Sequence, residues 1–157
     1  MATIKKKPSG YGQFGGFSPY GNVTALAFFL ATNASGAVID SDTTVAVASG
    51  DVIDLGELPE GMRLDDAQIL IKTGMTATVT GSLGFKYVDG DSTEVPQDAA
   101  YFINAGDLAT AGRLRANTGK LVTLPKAARL ILTTGGAANA KASDIKVIVN
   151  GELTGPR

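Results

Sequence analysis

An all-β fold, with two packed antiparallel sheets behind an extended N-terminal arm, is what three features of the sequence predict. From Asn22 onward, short apolar runs alternate with glycine, asparagine, aspartate and proline, the rhythm of strands joined by tight turns. No apolar pattern is long enough for the helices of β-α-β crossovers, so a parallel doubly wound sheet is not expected. Residues 1–21 carry glycine at 10, 12, 15, 16 and 21 and proline at 8 and 19, with neither a two-residue nor a 3.6-residue apolar period. The expected organisation is a flexible N-terminal arm, 1–21, and a single β-sandwich domain, 22–157, built as a jelly roll or an immunoglobulin-like variant.

The elements follow in chain order. "VTALAFFLAT" suits a strand because its flanks are β-branched and glycine-bounded, although "AFFLAT" alone also suits a helical turn. "AVIDSDTTVAVAS" and "DVIDLGEL" are further strand candidates. Ala67, Ile69 and Ile71 alternate with Gln68, Leu70 and Lys72, and Gly74 lies in the short connection to "ATVTGSLGFKYV", so these two runs read as an antiparallel hairpin. In the second run Ala77, Val79, Gly81, Leu83, Phe85 and Tyr87 share one face, and Thr78, Thr80, Ser82, Gly84 and Lys86 the other. One short helix is expected at "NAGDLATAGR", capped by Asn104. "RLILTT" and "DIKVIVNGEL" end the series around the polar link "GGAANAKAS", with Ile145, Val147 and Val149 facing inward past Lys146 and Ile148.

Composition narrows the chemistry. At 157 residues the chain suits one domain with one core. It has no cysteine and no histidine, which removes disulfides, thiolate nucleophiles, the common zinc ligand sets and a histidine acid-base. No apolar run reaches the roughly 18 residues of a membrane span, and no secretory leader is evident, so a soluble product made in the cytoplasm is expected. On that ground Asn22-Val23-Thr24 and Asn33-Ala34-Ser35 are chance matches to the glycosylation pattern. Net charge is −1, but unevenly placed: residues 1–21 hold three lysines and no acid, leaving 11 basic against 15 acidic side chains in the remainder. A polyanion would be repelled by that body, so no direct nucleic-acid partner is expected.

The setting of each candidate motif decides its reading. Gly10, Gly12 and Gly15 have the spacing of a dinucleotide fingerprint, but that motif needs a strand before it and a helix after it. Here Lys-Lys-Lys-Pro precedes and Phe-Ser-Pro follows. Lys5, Lys6 and Lys7 with Tyr11, Phe14, Phe17 and Tyr20 could grip single-stranded nucleic acid. An acidic protein surface fits the same residues better, with aromatics spaced every third position as anchors on an extended segment. "DGDSTE", Asp89 to Glu94, lacks the sixth-place glycine and distal glutamate of a calcium loop and reads as a hairpin turn at Gly90. Asp65 and Asp66, adjacent in a strand, are expected on opposite faces and so not as a carboxylate pair. Arg113 and Arg115 flank Leu114 on one strand face, where they either hold an acidic neighbour or line a solvated surface. No Ser-x-x-Lys nucleophile occurs. No cofactor, metal or enzymatic activity is expected.

The segment "GDVIDLGELPEGMRLDDAQILI", residues 50–71, resembles the jelly-roll proteins of tailed-bacteriophage heads: an apolar strand, a proline-glycine turn, then alternating aliphatics. The polar, glycine- and alanine-rich strands after it are similar in style to head decoration, or cement, proteins. That resemblance implies a homo-oligomer, a trimer in preference to a dimer, which binds the outside of an assembled major capsid protein shell and clamps neighbouring subunits. No family motif fixes the contact residues, so Lys5, Lys6, Lys7, Tyr11, Phe14, Phe17 and Tyr20 stand as partner-binding candidates on physical grounds, with Arg113 and Arg115 beside them. A receptor- or glycan-binding module of a phage fibre or tail is the alternative. The body's aromatics are few for it (Phe28, Phe29, Phe85, Tyr87, Tyr101 and Phe102), and tryptophan is absent. A metal-free hydrolase would need a clustered acid pair or a pocketed serine that the sequence does not single out.

Overall fold

The computed structural model describes residues 1–6 and 23–154. Among them are ten strands: β1 (Thr3–Lys5), β2 (Val23–Thr32), β3 (Val52–Leu58), β4 (Met62–Thr73), β5 (Thr80–Tyr87), β6 (Asp98–Asp107), β7 (Gly112–Arg115), β8 (Val122–Thr123), β9 (Ala128–Gly135) and β10 (Ser143–Leu153). They form two sheets, one ordered β1-β3-β9-β5-β6 and the other β2-β10-β4-β7, with β8 also paired to β4.

The pairings reveal how the chain rolls up. β5 pairs with β6, β4 with β7 and β8, β3 with β9, and β2 with β10, all antiparallel. These are nested ladders of one long double-stranded ribbon whose tip lies between β5 and β6. Rolling that ribbon adds the β10–β4 and β9–β5 ladders and closes two sheets over each other. Nested pairing followed by rolling is the jelly-roll pattern, so the structure selects it over the immunoglobulin-like variant.

The core lies between the inner faces. Leu26, Phe28 and Leu30 of β2, Ile145, Val147 and Val149 of β10, and Leu64, Ala67 and Ile69 of β4 meet Ile53, Leu83, Phe85, Leu130 and Leu132 of the opposite sheet, all buried. Alternation places them there, since every second residue of a strand points to the same face. Phe85, Tyr87, Tyr101 and Phe102 stack edge to face, with centroids 4.7 to 5.6 Å apart in their successive contacts. Asn139, 1% exposed, ties the periphery together: its amide donates to Thr32 Oγ1 and the Lys141 carbonyl, while its oxygen accepts from the Thr76 backbone N–H.

Several sequence expectations are corrected. The runs around Gly74 do not pair as a hairpin, because β4 and β5 belong to different sheets. The connection packs so tightly that a Cβ at Gly74 would sit 2.0 Å from the Ala109 carbonyl oxygen. The second run starts pairing only at Thr80, and Ala77 is exposed in the crossover. No helix forms over "NAGDLATAGR"; Asn104 lies within β6, and Leu108 instead donates its N–H to Val79 and accepts from Met75. Gly106 and Gly112 each disfavour a helix there by about 1 kcal/mol. "AVIDSDTTVAVAS" makes only isolated bridges among the described residues: Val38 to Thr32, Ala37 to Ala46 and Ser41 to Lys6.

Asp65 and Asp66 do not take opposite faces. The β4–β10 register jumps from Asp66 opposite Asn150 to Leu64 opposite Gly151, leaving Asp65 without a partner residue. This bulge sends both carboxylates outward between the buried Leu64 and Ala67.

The first residues depart most from expectation. Residues 3–5 are a strand, parallel to β3, and Ile4 is 2% exposed within the core. A three-residue element is too short to show a period, which is why composition alone assigned it to an arm. Residues 7–22, the rest of the expected arm, lie outside the described residues.

Candidate interaction surfaces

Two outward-facing surfaces, one strand seat and the ribbon tip hold much of the polar chemistry among the described residues. The seat is the edge of β3. Ala2 donates its N–H to Asp51 Oδ1 at 2.8 Å, and Val52 donates back to the Ala2 carbonyl at 2.9 Å. Asp51 is held ready by the Ala48 N–H on its other oxygen, at 2.9 Å. Lys5 donates its N–H to Asp42 Oδ1 at 3.1 Å and accepts from the Asp42 N–H at 3.0 Å. Lys6 donates its backbone N–H to the Asp54 carbonyl and its ammonium to the Phe29 carbonyl on β2. Burial lowers the Lys6 pKa, with the Asp40 carboxylate acting in the opposite direction.

Next to the seat, the outer face of the first sheet forms an open groove of about 640 Å³. Lys5, Lys86 and Arg129 line it together with Asp42, Asp54 and Glu57. Asp54, 5% exposed, accepts from Arg129 Nε at 3.0 and 3.1 Å through its two oxygens, a close ion pair that anchors the groove floor.

The outer face of the second sheet has a different character. Phe29 is 59% exposed, with Lys146 Nζ 5.2 Å from its ring centroid. A shallow depression of about 340 Å³ lies between Phe29, Leu70, Lys72, Asp144 and Lys146. Register places Lys146 between Phe29 and Leu70, and Arg113 beyond Leu70. Arg115 reaches Asp66 at 3.4 Å, and Arg63 binds both Asp65 and Glu152. Gln68, opposite Arg115, carries an amide oxygen that is buried without a hydrogen-bond partner.

The structure thus separates the sequence candidates. Lys5 and Lys6 belong to the β3 edge, while Arg113 and Arg115 belong to the far strand of the other sheet. Lys7, Tyr11, Phe14, Phe17 and Tyr20 lie outside the described residues. Sequence reasoning grouped Phe29 with aromatics that are mostly core. The adjacency of Phe28 and Phe29 held the signal, since neighbours on a strand cannot both face inward.

At the ribbon tip, residues 88–97 form the turn expected of "DGDSTE", with Gly90 at φ 96°. Lys126 fastens it, 2.9 Å from Asp89 and 5.0 Å from the Tyr87 ring centroid. Hydrogen bonds hold the Asp89, Asp91 and Asp107 carboxyls below their usual range; the donors are Lys126 for Asp89, the Gln97 and Ser92 N–H groups for Asp91, and Thr110 and the Ala109 N–H for Asp107. At Asp98 burial acts against ionisation, but bonds from Lys120 and the Ala100 N–H prevail and lower it. These groups act as fixed charges and acceptors at neutral pH. Among the described residues no three acidic side chains cluster as a metal site.

Taken together, the fold and its surfaces define a jelly-roll sandwich whose outward chemistry lies in open grooves, sheet faces and a strand seat. Three solved chains share that architecture. One, from the capsid of Ralstonia phage GP4, superposes with a TM-score of 0.63 at 18% identity over 99% of both chains. Another, from the capsid asymmetric unit of cyanophage Pam1, gives 0.58 at 19% identity over 88% of this chain and 89% of that one. The third, from the acid-stable capsid of Helicobacter pylori bacteriophage KHP30, gives 0.52 at 15% identity over 83% and 89%. At such identities the likeness is one of fold. No family model matches the sequence, and no curated protein matches it.

Proposed function

We propose that this chain is a structural virion protein that binds the outside of an assembled phage capsid and cements neighbouring major capsid subunits. The observation that carries the reading is the end-to-end fold match to a chain from a phage capsid, 99% of each chain. Physical features support it: a double sheet, an exposed Phe29 flanked by Lys146, and open surfaces on the outer sheet faces. In this reading the protein is made in the host cytoplasm and acts as a homo-oligomer, a trimer in preference to a dimer. Tyr11, Phe14, Phe17 and Tyr20 anchor it to the shell, and Lys5 and Lys7 meet acidic capsid groups. Lys6 is engaged with Phe29, so its charge serves the fold. Arg113 and Lys146 extend the basic contact on the second sheet. Several subunits binding together would turn weak individual contacts into a durable attachment.

The test is co-sedimentation with assembled tailed-phage capsids at several salt concentrations. The intact chain is compared with a variant carrying serine at Tyr11, Phe14, Phe17 and Tyr20. Deleting residues 2–20 would remove buried Ile4, so substitution is the cleaner perturbation. Saturation at a fixed copy number, lost in the serine variant, supports both the function and the anchors. If the intact chain ignores every shell and is instead retained by a glycan, the cement reading is wrong and the fibre or tail module takes its place.

A further inference from the structure

We infer that the shallow depression on the outer face of the second sheet is where a second copy of this chain docks its ribbon tip, residues 88–97. The depression has an apolar centre, Phe29 and Leu70, and a cationic rim. Lys146 and Arg113 flank Leu70 in register, about 10 Å apart at the spacing of sheet strands, and neither has a carboxylate partner among the described residues. Among the described residues that line the depression, Asp144 is the only carboxylate, and Lys72 takes it up at 3.3 Å. Farther along the same face, Arg63 and Arg115 are matched by Asp65, Asp66 and Glu152, so the unbalanced positive charge is local to the depression.

The tip has the opposite build. Val88, 63% exposed, stands beside Asp89, with Asp91 and Glu94 following and no cation within residues 88–97. Lys126 reaches the tip from outside but offsets only one of its three carboxylates. An exposed aliphatic side chain among acids thus matches an exposed apolar centre among cations. The loop is also ordered in advance: Asp91 accepts the Gln97 and Ser92 N–H groups at 2.7 and 2.8 Å, and the Tyr87 hydroxyl donates to the Val95 carbonyl at 2.7 Å. Docking therefore immobilises little that is not already fixed. The partner has to be another molecule, because Tyr87 and Lys126 pin the tip at the end of the first sheet, whereas the depression lies on the outer side of the second. Contact between unlike surfaces joins copies head to tail, which builds a ring where the rotation closes. The contact supplies an interface for the homo-oligomer of the proposed function and to that extent rests on that reading, but nothing in it involves a capsid.

Self-association is measured without capsids, so failure of this contact and failure of capsid binding are read separately. One variant changes the face, Arg113→Glu with Lys146→Glu, and another the tip, Val88→Lys with Thr93→Lys. None of the four side chains is buried, so both variants keep the fold. Sedimentation equilibrium of the intact chain should show an oligomer whose dissociation constant rises about tenfold or more between roughly 50 and 500 mM salt. Each variant alone should be a monomer. Their mixture should associate through the intact tip of the face variant and the intact depression of the tip variant. Amide chemical shifts read this even for a weak contact, moving in residues 88–97 of the first and around Leu70 of the second. An intact chain that stays monomeric, an oligomer that survives the tip substitutions, or two variants that leave each other's shifts unchanged overturns the inference. If the intact chain is monomeric and the face variant alone loses capsid co-sedimentation, the depression belongs to the capsid protein and the inference falls.

Discussion

Replacing Ile4 with alanine tests whether β1 is a separable element. Ile4 is 2% exposed, and truncating a buried isoleucine to alanine costs about 2–4 kcal/mol when its surroundings relax only in part. β1 has no other buried side chain, so this loss approaches the whole of what holds the strand in place. The expected result is local: β1 leaves the β3 edge while the two sheets stay folded. Amide hydrogen exchange reads this directly, because the Val52 N–H is bonded to the Ala2 carbonyl and the Lys6 N–H to the Asp54 carbonyl. Their exchange should accelerate by about 30- to 1,000-fold, the factor equivalent to that energy, while amides of the central β9 and β10 keep their protection. A uniform loss of protection throughout both sheets would refute the reasoning, since it would make β1 part of the cooperative core. Unchanged exchange at Val52 would refute it from the other side.

Further substitutions probe the rest of the molecule. Arg129→Met strands the nearly buried Asp54 carboxylate and should lower stability by about 3 kcal/mol, read as a reduced urea midpoint and partly restored by adding Asp54→Asn. Phe29→Ser should leave stability within about 0.5 kcal/mol, because the ring is 59% exposed, yet weaken capsid co-sedimentation by about tenfold or more. Burial pushes the Tyr101 phenol up to about 12, above the unfolded value near 10, so the neutral form stabilises the fold fully below pH 10 and that contribution is lost as pH rises through 12. Thermal midpoints measured between pH 8 and 12 should fall more steeply for the intact chain than for Tyr101→Phe. The variant should start lower, because the Val122 N–H loses its phenolic acceptor. An equal slope in both would remove Tyr101 from the alkaline transition.

The strands were legible and their partners were not. "RLILTT" and "DIKVIVNGEL" show their inner faces in plain alternation, and Ile145, Val147 and Val149 are buried as that pattern requires. Alternation states which face is apolar but carries no information about the neighbour. Short connections invited a local hairpin at Gly74, whereas in the roll nearly every connection crosses between sheets and the ladders join distant strands. The Asp65–Asp66 bulge was hidden for a related reason, because a single inserted residue shows only when two ladders are aligned. At the surfaces, sequence could point to Lys5, Lys6, Arg113 and Arg115 as charged. It could not show that Lys6 is engaged by a carbonyl or that the two pairs sit on different sheets.

The unusual chemistry of β2 links these observations. Its ten residues, Val23 to Thr32, lie at the edge of the second sheet and include no charge and no proline, the devices that commonly protect such edges from pairing with other chains. Among the described residues, the contacts on its C-terminal half include the Lys6 ammonium on the Phe29 carbonyl and the Ile39 N–H on the Ala31 carbonyl. The first exists only while β1 is seated, since Lys6 follows directly on Lys5. Moving β1 from its own β3 edge therefore also takes Lys6 from Phe29, so the two edges open together.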